Sequence, residues 1–284
     1  FGFVNVSDSH TTHAFMIENT GDADLHLTGS PLVEISGPHA AEFTVTSLPS
    51  TSVTAGGGTT TFEVTFDPDG EGLREAEISI ANDDSDENPY NFAIQGTGTT
   101  TFDDVTLGHW AYDYIEALYQ SGITGGCDTD PLVYCPDGMV TRAQMAVFLE
   151  RGVHGADYNP PAPTGIFDDV PVDNWAAQWV EALYNDGITG GCGGNNYCPN
   201  NPVTRAQMAV FLLRSEHGSE YNPPAPTGVF DDVPVDSWAA KWVEQLYAEG
   251  ITGGCGGGNY CPNDSVTRAQ MAVFLTRTFD LPIP

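Results

Sequence analysis

Arg142, Arg205 and Arg268 lie 63 residues apart, each inside the same decapeptide, Val-Thr-Arg-Ala-Gln-Met-Ala-Val-Phe-Leu, at 140–149, 203–212 and 266–275. A guanidinium is a rigid five-donor fork, suited to anions and to hydroxyl-rich ligands. The preceding Thr141, Thr204 and Thr267 read as helix N-caps, which puts each arginine at the first helical position. There the positive end of the helix dipole disfavours an exposed cation by roughly 0.3–1 kcal/mol. The chain places a cation there three times although it has only eight Lys and Arg. Two chemistries account for that: the arginines grip an anionic or hydroxyl-rich ligand, or they form structural ion pairs with acidic neighbours. Arg151, Arg214 and Arg277, nine positions further on, suit helix C-termini and need no ligand.

Six cysteines form three local pairs, Cys127 with Cys135, Cys192 with Cys198 and Cys255 with Cys261, one pair per repeat. A disulfide within each repeat is the expected arrangement and implies an oxidising, extracytoplasmic compartment. Zinc is the rival reading, but structural zinc favours ligands two to four residues apart, and no histidine accompanies these pairs. Closing so short a loop stabilises by roughly 2.5 kcal/mol in the chain-entropy account.

A third candidate chemistry lies in the acidic run 83–87, where Asp83, Asp84 and Asp86 offer hard oxygens for calcium. The run lacks EF-hand spacing and its glycine, so a solvated acidic turn is the alternative, and no other cofactor is expected. The formal net charge of −31 argues against nucleic acid or an anionic membrane surface as partner. No apolar run reaches the length of a membrane span. Phe1 already stands in a strand-like pattern, so the chain is expected to begin after a removed segment. The histidines are scattered; His154 and His217 are repeat equivalents, but the third copy has Asp280. With no phosphate loop, no metal-ligand cluster and no Gly-x-Ser-x-Gly, catalysis is not expected.

The elements that position these residues are of two kinds. From Phe1 to about Gly98 apolar residues alternate, as in Phe15/Ile17, Val33/Ile35, Phe62/Val64/Phe66 and Ile78/Ile80, with Gly, Asn, Asp and Pro between them. About seven short strands in under a hundred residues indicate a β-sandwich. Beyond a Gly/Thr linker, each repeat runs Phe-Asp-Asp-Val, a Trp-bearing helix with one buried face (175, 176, 179, 180, 183 and 184 in the second copy), a Gly-Ile stop, the cysteine loop and the arginine helix. Pro-rich stretches at 158–165 and 221–228 link the copies stiffly. The domains expected are 1–98, 99–164, 165–227 and 228–284.

The first domain resembles the Ig-like choice-of-anchor D family, close to the ASH-type sandwiches, through residues 15–25, Phe62 to Pro68 and 82–90 ending in Gln95-Gly96-Thr97-Gly98. The rest resembles three S-layer homology domains. The marks are Phe-Asp-Asp-Val, the boxes at His109-Trp110-Ala111, Asn174-Trp175-Ala176 and Ser237-Trp238-Ala239, Gly-Ile-Thr-Gly, and Thr-Arg-Ala-Gln, with Gln144, Gln207 and Gln270 where the family usually has Glu. The resemblance implies an all-α, pseudo-threefold helical bundle whose grooves bind cell-wall polysaccharide. It makes Arg142, Arg205 and Arg268 glycan contacts. Trp110, Trp175 and Trp238 are groove walls or, being on the helix face, core residues. The implied protein is extracellular and non-catalytic, anchored to surface polysaccharide with the sandwich as spacer or display module. The alternative is a subunit that assembles with copies of itself in an S-layer or filament.

Overall fold

Alternation of apolar and polar residues marks the longer of nine strands found among the described residues before residue 100: β1 (Phe3–Asn5), β2 (Thr11–Asn19), β3 (Leu25–His26), β4 (Glu34–Ser36), β5 (Phe43–Ser47), β6 (Ser52–Val53), β7 (Gly58–Phe66), β8 (Gly72–Ile80) and β9 (Tyr90–Thr99). The computed structural model describes residues 1–7 and 9–284 and divides into two units, Phe1–Thr101 and Phe102–Pro284. In the first, one sheet has the order β1-β9-β8-β4, another β2-β7-β5, and β3 pairs with β6. Phe62, Val64 and Phe66 of β7 share one buried core with Ala76, Ile78 and Ile80 of β8 and Ile94 of β9, as period-two strands with one covered face require. Gly96 is fixed by this core, because a Cβ there would stand 2.3 Å from the Phe66 ring. Strands β1 and β6 are too short to show alternation in sequence; β1 is recruited by parallel pairing with β9.

The second unit contains α1 (Tyr112–Gln120), α2 (Arg142–His154), α3 (Ala177–Asn185), α4 (Arg205–His217), α5 (Ala240–Ala248) and α6 (Arg268–Thr278). Each long helix starts on a capping box: Gln144 N–H donates to Thr141 Oγ1 at 3.2 Å and Thr141 N–H to Gln144 Oε1 at 3.0 Å, with Thr204/Gln207 and Thr267/Gln270 alike. Glutamine therefore does at this position what glutamate also can. The short helices end on glycine: Gly122 has φ 72°, its N–H meets Tyr119 O, and Ile123 N–H reaches back to Leu118 O, a Schellman closure that needs a residue at ease with positive φ.

Helix α2 packs on α3, α4 on α5, and α6 on α1, while α2, α4 and α6 touch one another. At their starts the backbone forms a ring. Val140 N–H donates to Val266 O (3.0 Å), Val203 N–H to Val140 O and Val266 N–H to Val203 O (both 2.9 Å). The third repeat thus closes on the first. The unit is not purely helical as expected, since β10 (Asp128–Thr129) and β11 (Leu132–Val133) pair inside the first cysteine loop. That loop separates its cysteines by 8 residues where the others have 6. The two extra residues supply the hairpin, and they make Trp110 and Trp175 lie 65 apart although the arginines keep 63. Among the described residues no helix is long and apolar enough to cross a membrane.

Candidate ligand groove between the repeats

The three arginines are neither free nor ion-paired; they are buried, at 3%, 5% and 4% exposure. Arg142 Nε donates to Tyr197 O at 2.7 Å, Arg205 Nε to Tyr260 O at 2.8 Å and Arg268 Nε to Tyr134 O at 2.6 Å, each tyrosine belonging to the next repeat in the ring. The guanidiniums lie 4.6, 4.8 and 4.6 Å from the centroids of those tyrosine rings. Among the described residues no carboxylate lies within 4.0 Å of them, so the ion-pair expectation fails. A backbone carbonyl and an aromatic face take the carboxylate's place, which suits a planar, weakly hydrated cation. Burial pulls Arg142 and Arg268 below the ordinary guanidinium value, opposed by the facing tyrosine and an aspartate. Nη2 of Arg142 reaches Gly191 O at 3.3 Å, whereas the buried Nη2 of Arg205 and of Arg268 has no hydrogen-bond partner among the described residues.

The tyrosines are held by residues that the sequence did not single out. The second aspartate of each Phe-Asp-Asp-Val accepts two N–H bonds from the cysteine loop: Asp104 from Tyr134 and Cys135, Asp169 from Tyr197 and Cys198, and Asp232 from Tyr260 and Cys261, all at 2.7 Å. These bonds hold Cys135, Cys198 and Cys261 at φ 58°, 61° and 60°, a region disfavoured for side-chain-bearing residues. All six cysteines are disulfide-bonded within their repeats, as expected. Arg151, Arg214 and Arg277 donate to the carbonyls of Ile123, Ile188 and Ile251 and cover Trp179, Trp242 and Tyr114. They too are structural bridges to a neighbouring repeat, and only their positions in the last helical turns were legible.

Trp110, Trp175 and Trp238 are not core. They are 64%, 63% and 65% exposed and stand in the turn ahead of α1, α3 and α5. The buried face begins one residue later, at Ala111, Ala176 and Ala239, and Tyr184 also falls outside it at 43% exposure. A groove of about 250 Å³ brings Trp175 of the second repeat together with Arg268 of the third. Ile123 to Cys127, Gln144, Val147, Phe148 and Arg151 of the first repeat complete its lining. It contains two arginines and no carboxylate.

In the acidic loop of the first unit the carboxylates are engaged in local hydrogen bonds. Asp83 accepts from His26 N–H at 2.8 Å and meets His26 Nδ1 at 2.9 Å, while Asp84 Oδ1 accepts the N–H of Asp86 at 3.3 Å. Asp83, Asp84 and Asp86 are absent from the groups of three or more ligand atoms that converge among the described residues. No metal-ligand cluster is expected from the sequence, yet Glu150, His154 and Asp186 do converge. The four-residue spacing of Glu150 and His154 on one helix was the available signal; the third member comes from the next repeat.

Residues 1–97 match the HYDIN/CFA65/VesB-like Ig-like domain, and residues 101–146, 167–209 and 229–272 match the S-layer homology domain. An endoglucanase of Bacillus sp. (strain KSM-635) is 30% identical over 60% of this chain and 18% of its own length. An amylopullulanase of Thermoanaerobacterium thermosulfurigenes is 32% identical over 62% of the chain and 9% of its own. The S-layer protein EA1 of Bacillus anthracis is 30% identical over 63% of the chain and 20% of its own. The alignments thus span a fifth or less of these relatives. With the matching segments falling on the sandwich and on the three helix pairs, the chain consists of a HYDIN/VesB-type Ig-like domain followed by three S-layer homology domains.

Proposed function

We propose that the repeats anchor this protein to the cell surface by holding an anionic polysaccharide in the grooves between repeats. The observation that carries the reading is the groove itself: in a chain of net charge −31, its lining holds Arg151, Arg268 and an exposed Trp175 and no acidic residue. An aromatic face offers apolar area to a sugar ring, the Gly125-Gly126 backbone lets a ligand approach closely, and Arg151 and Arg268 give the lining a positive charge. Repeat equivalence pairs Arg142 with Trp238 and Arg205 with Trp110 in the same manner, in a pseudo-threefold set. The three disulfides fit an extracytoplasmic setting. The sandwich then serves as spacer or display module, and the protein performs no catalysis. Its enzyme relatives are named for reactions, and the domains shared with them act as anchors in this reading.

The likeness to the S-layer protein EA1 supports a second reading, in which the chain assembles with copies of itself. Two measurements on purified protein decide between them: co-sedimentation with isolated wall polysaccharide, and sedimentation velocity without it. Anchoring predicts saturable binding by a monomer. Polymerisation without polysaccharide, or no binding to it, overturns that reading.

A further inference from the structure

The junction of the first two repeats carries a polar cluster outside the groove. The last turn of α2 presents Glu150 and His154 on one face, and Asp186, which caps the end of α3, meets them from the second repeat. His154 Nε2 lies 2.6 Å from Asp186 Oδ2 and 3.6 Å from Glu150 Oε2, and one atom of each group falls within 4.8 Å of the others. Glu150 is fully buried, and among the described residues neither of its oxygens has a hydrogen-bond partner. A buried carboxylate without donors is a strongly unfavourable arrangement unless something else satisfies it. Tyr158 stacks on the imidazole with ring centroids 4.2 Å apart and so orients it.

We propose that Glu150, His154 and Asp186 bind a divalent transition-metal ion of the zinc type, which ties α2 of the first repeat to the end of α3 in the second. The two carboxylates balance the ion's charge, and the neutral imidazole gives the nitrogen that zinc-type ions favour. Calcium would need six to eight oxygens, more than this cluster offers. Tetrahedral zinc with bonds near 2.0–2.1 Å sets ligand atoms about 3.3 Å apart. The His154–Glu150 separation is already close to that, and His154 and Asp186 need to part by less than an ångström. Three protein ligands leave a position for water, on the side where His154 and Asp186 are one-third exposed.

The other junctions give internal contrasts. At the second, Leu213 stands where Glu150 would be; Glu216, His217 and Glu249 also converge there, with His217 Nε2 2.9 Å from Glu249 Oε1 and 3.8 Å from Glu216 Oε2, but no member of that group is a fully buried carboxylate. At the third, Asp280 and Ser121 occupy the equivalent positions and supply no imidazole. One high-affinity site per chain is therefore expected.

The test is zinc titration of the whole chain by calorimetry, in millimolar calcium to occupy surface carboxylates, with Co²⁺ absorption as a report of inner-sphere nitrogen ligation. The expected result is one equivalent bound in the low-micromolar range and a zinc-dependent rise in melting temperature. Glu150→Gln and His154→Ala should each weaken binding by about a hundredfold or more, and His217→Ala should leave it in place. Far-UV circular dichroism shows whether each variant is folded; Asp186→Asn, at an exposed position, is the second variant should Glu150→Gln not fold. Absence of zinc binding, affinity unchanged in Glu150→Gln, His154→Ala and Asp186→Asn, or loss of the site in His217→Ala would overturn the assignment.

Discussion

Tyr134 and Arg268, 134 residues apart, bind each other reciprocally: the tyrosine hydroxyl donates to Arg268 O at 2.9 Å and Arg268 Nε donates to Tyr134 O at 2.6 Å. The pair locks the third repeat onto the first, and Arg142 with Tyr197 and Arg205 with Tyr260 do the same at the other junctions. Removing Arg268 deletes a charge-assisted hydrogen bond and a cation–aromatic contact. We expect Arg268→Ala to cost about 2–4 kcal/mol of unfolding free energy, and Tyr134→Phe about 1 kcal/mol. Urea unfolding measures both. An Arg268→Ala protein as stable as the parent would remove the clamp from this account.

Trp175 gives the complementary case, a residue that lines the groove yet is mostly exposed. Trp175→Ala should change stability by no more than about 0.5 kcal/mol. Its effect should fall on polysaccharide binding, by roughly ten- to a hundredfold, as for an aromatic anchor in a contact patch. Binding isotherms and melts on the same preparation separate the two effects. Unaltered affinity would take Trp175 out of the ligand contacts.

Opening one cysteine loop should be felt locally. Replacing Cys192 and Cys198 together by serine frees a loop whose cysteines are 6 residues apart, at a cost of about 2–2.5 kcal/mol. Because Tyr197, the partner of Arg142, sits in that loop, the loss should add less than fully to Arg142→Ala. Full additivity in the combined variant would show that loop and clamp are independent.

Acid should act through two glutamates that hold the starts of the second and third repeats. Glu181 accepts from Thr164, Gly165 and Ile166, and Glu244 from Thr227, Gly228 and Val229. Burial pushes both carboxyls up, but these donors outweigh it and hold each below its ordinary 4.5. A lowered folded value means stabilisation that is present above about pH 4.5 and is lost as pH falls through the folded value. The stability gap between the parent and a Glu181→Gln, Glu244→Gln variant should therefore be open near neutrality and close in acid. A gap that stays constant from about pH 6 to about pH 3 would contradict this.

Much of this protein follows from local rules. Period-two alternation in 62–66 and 78–80 marks strands with one covered face. Thr141 followed by Gln144 marks a helix start, Gly122 a helix stop, and a short cysteine spacing a local disulfide, because each of these depends on neighbours within a few residues. The three-copy repeat is legible for the same reason, as is its family. What the arginines do is not local. From sequence, Arg142 was a cation against a helix dipole, in need of a ligand or an acid; the partner that receives it is the carbonyl and ring of Tyr197, 55 residues away in the next repeat. The exposure of Trp175 likewise depends on where α3 begins, at Ala177, two residues further on than helical spacing alone indicates. The meeting of Trp175 with Arg268, and of Glu150 and His154 with Asp186, exists only once the third repeat has closed on the first and each long helix lies against the next short one. Closure combines the arginine–tyrosine clamps with backbone bonds among Val140, Val203 and Val266, and those backbone groups are ones every residue carries and no side-chain pattern announces.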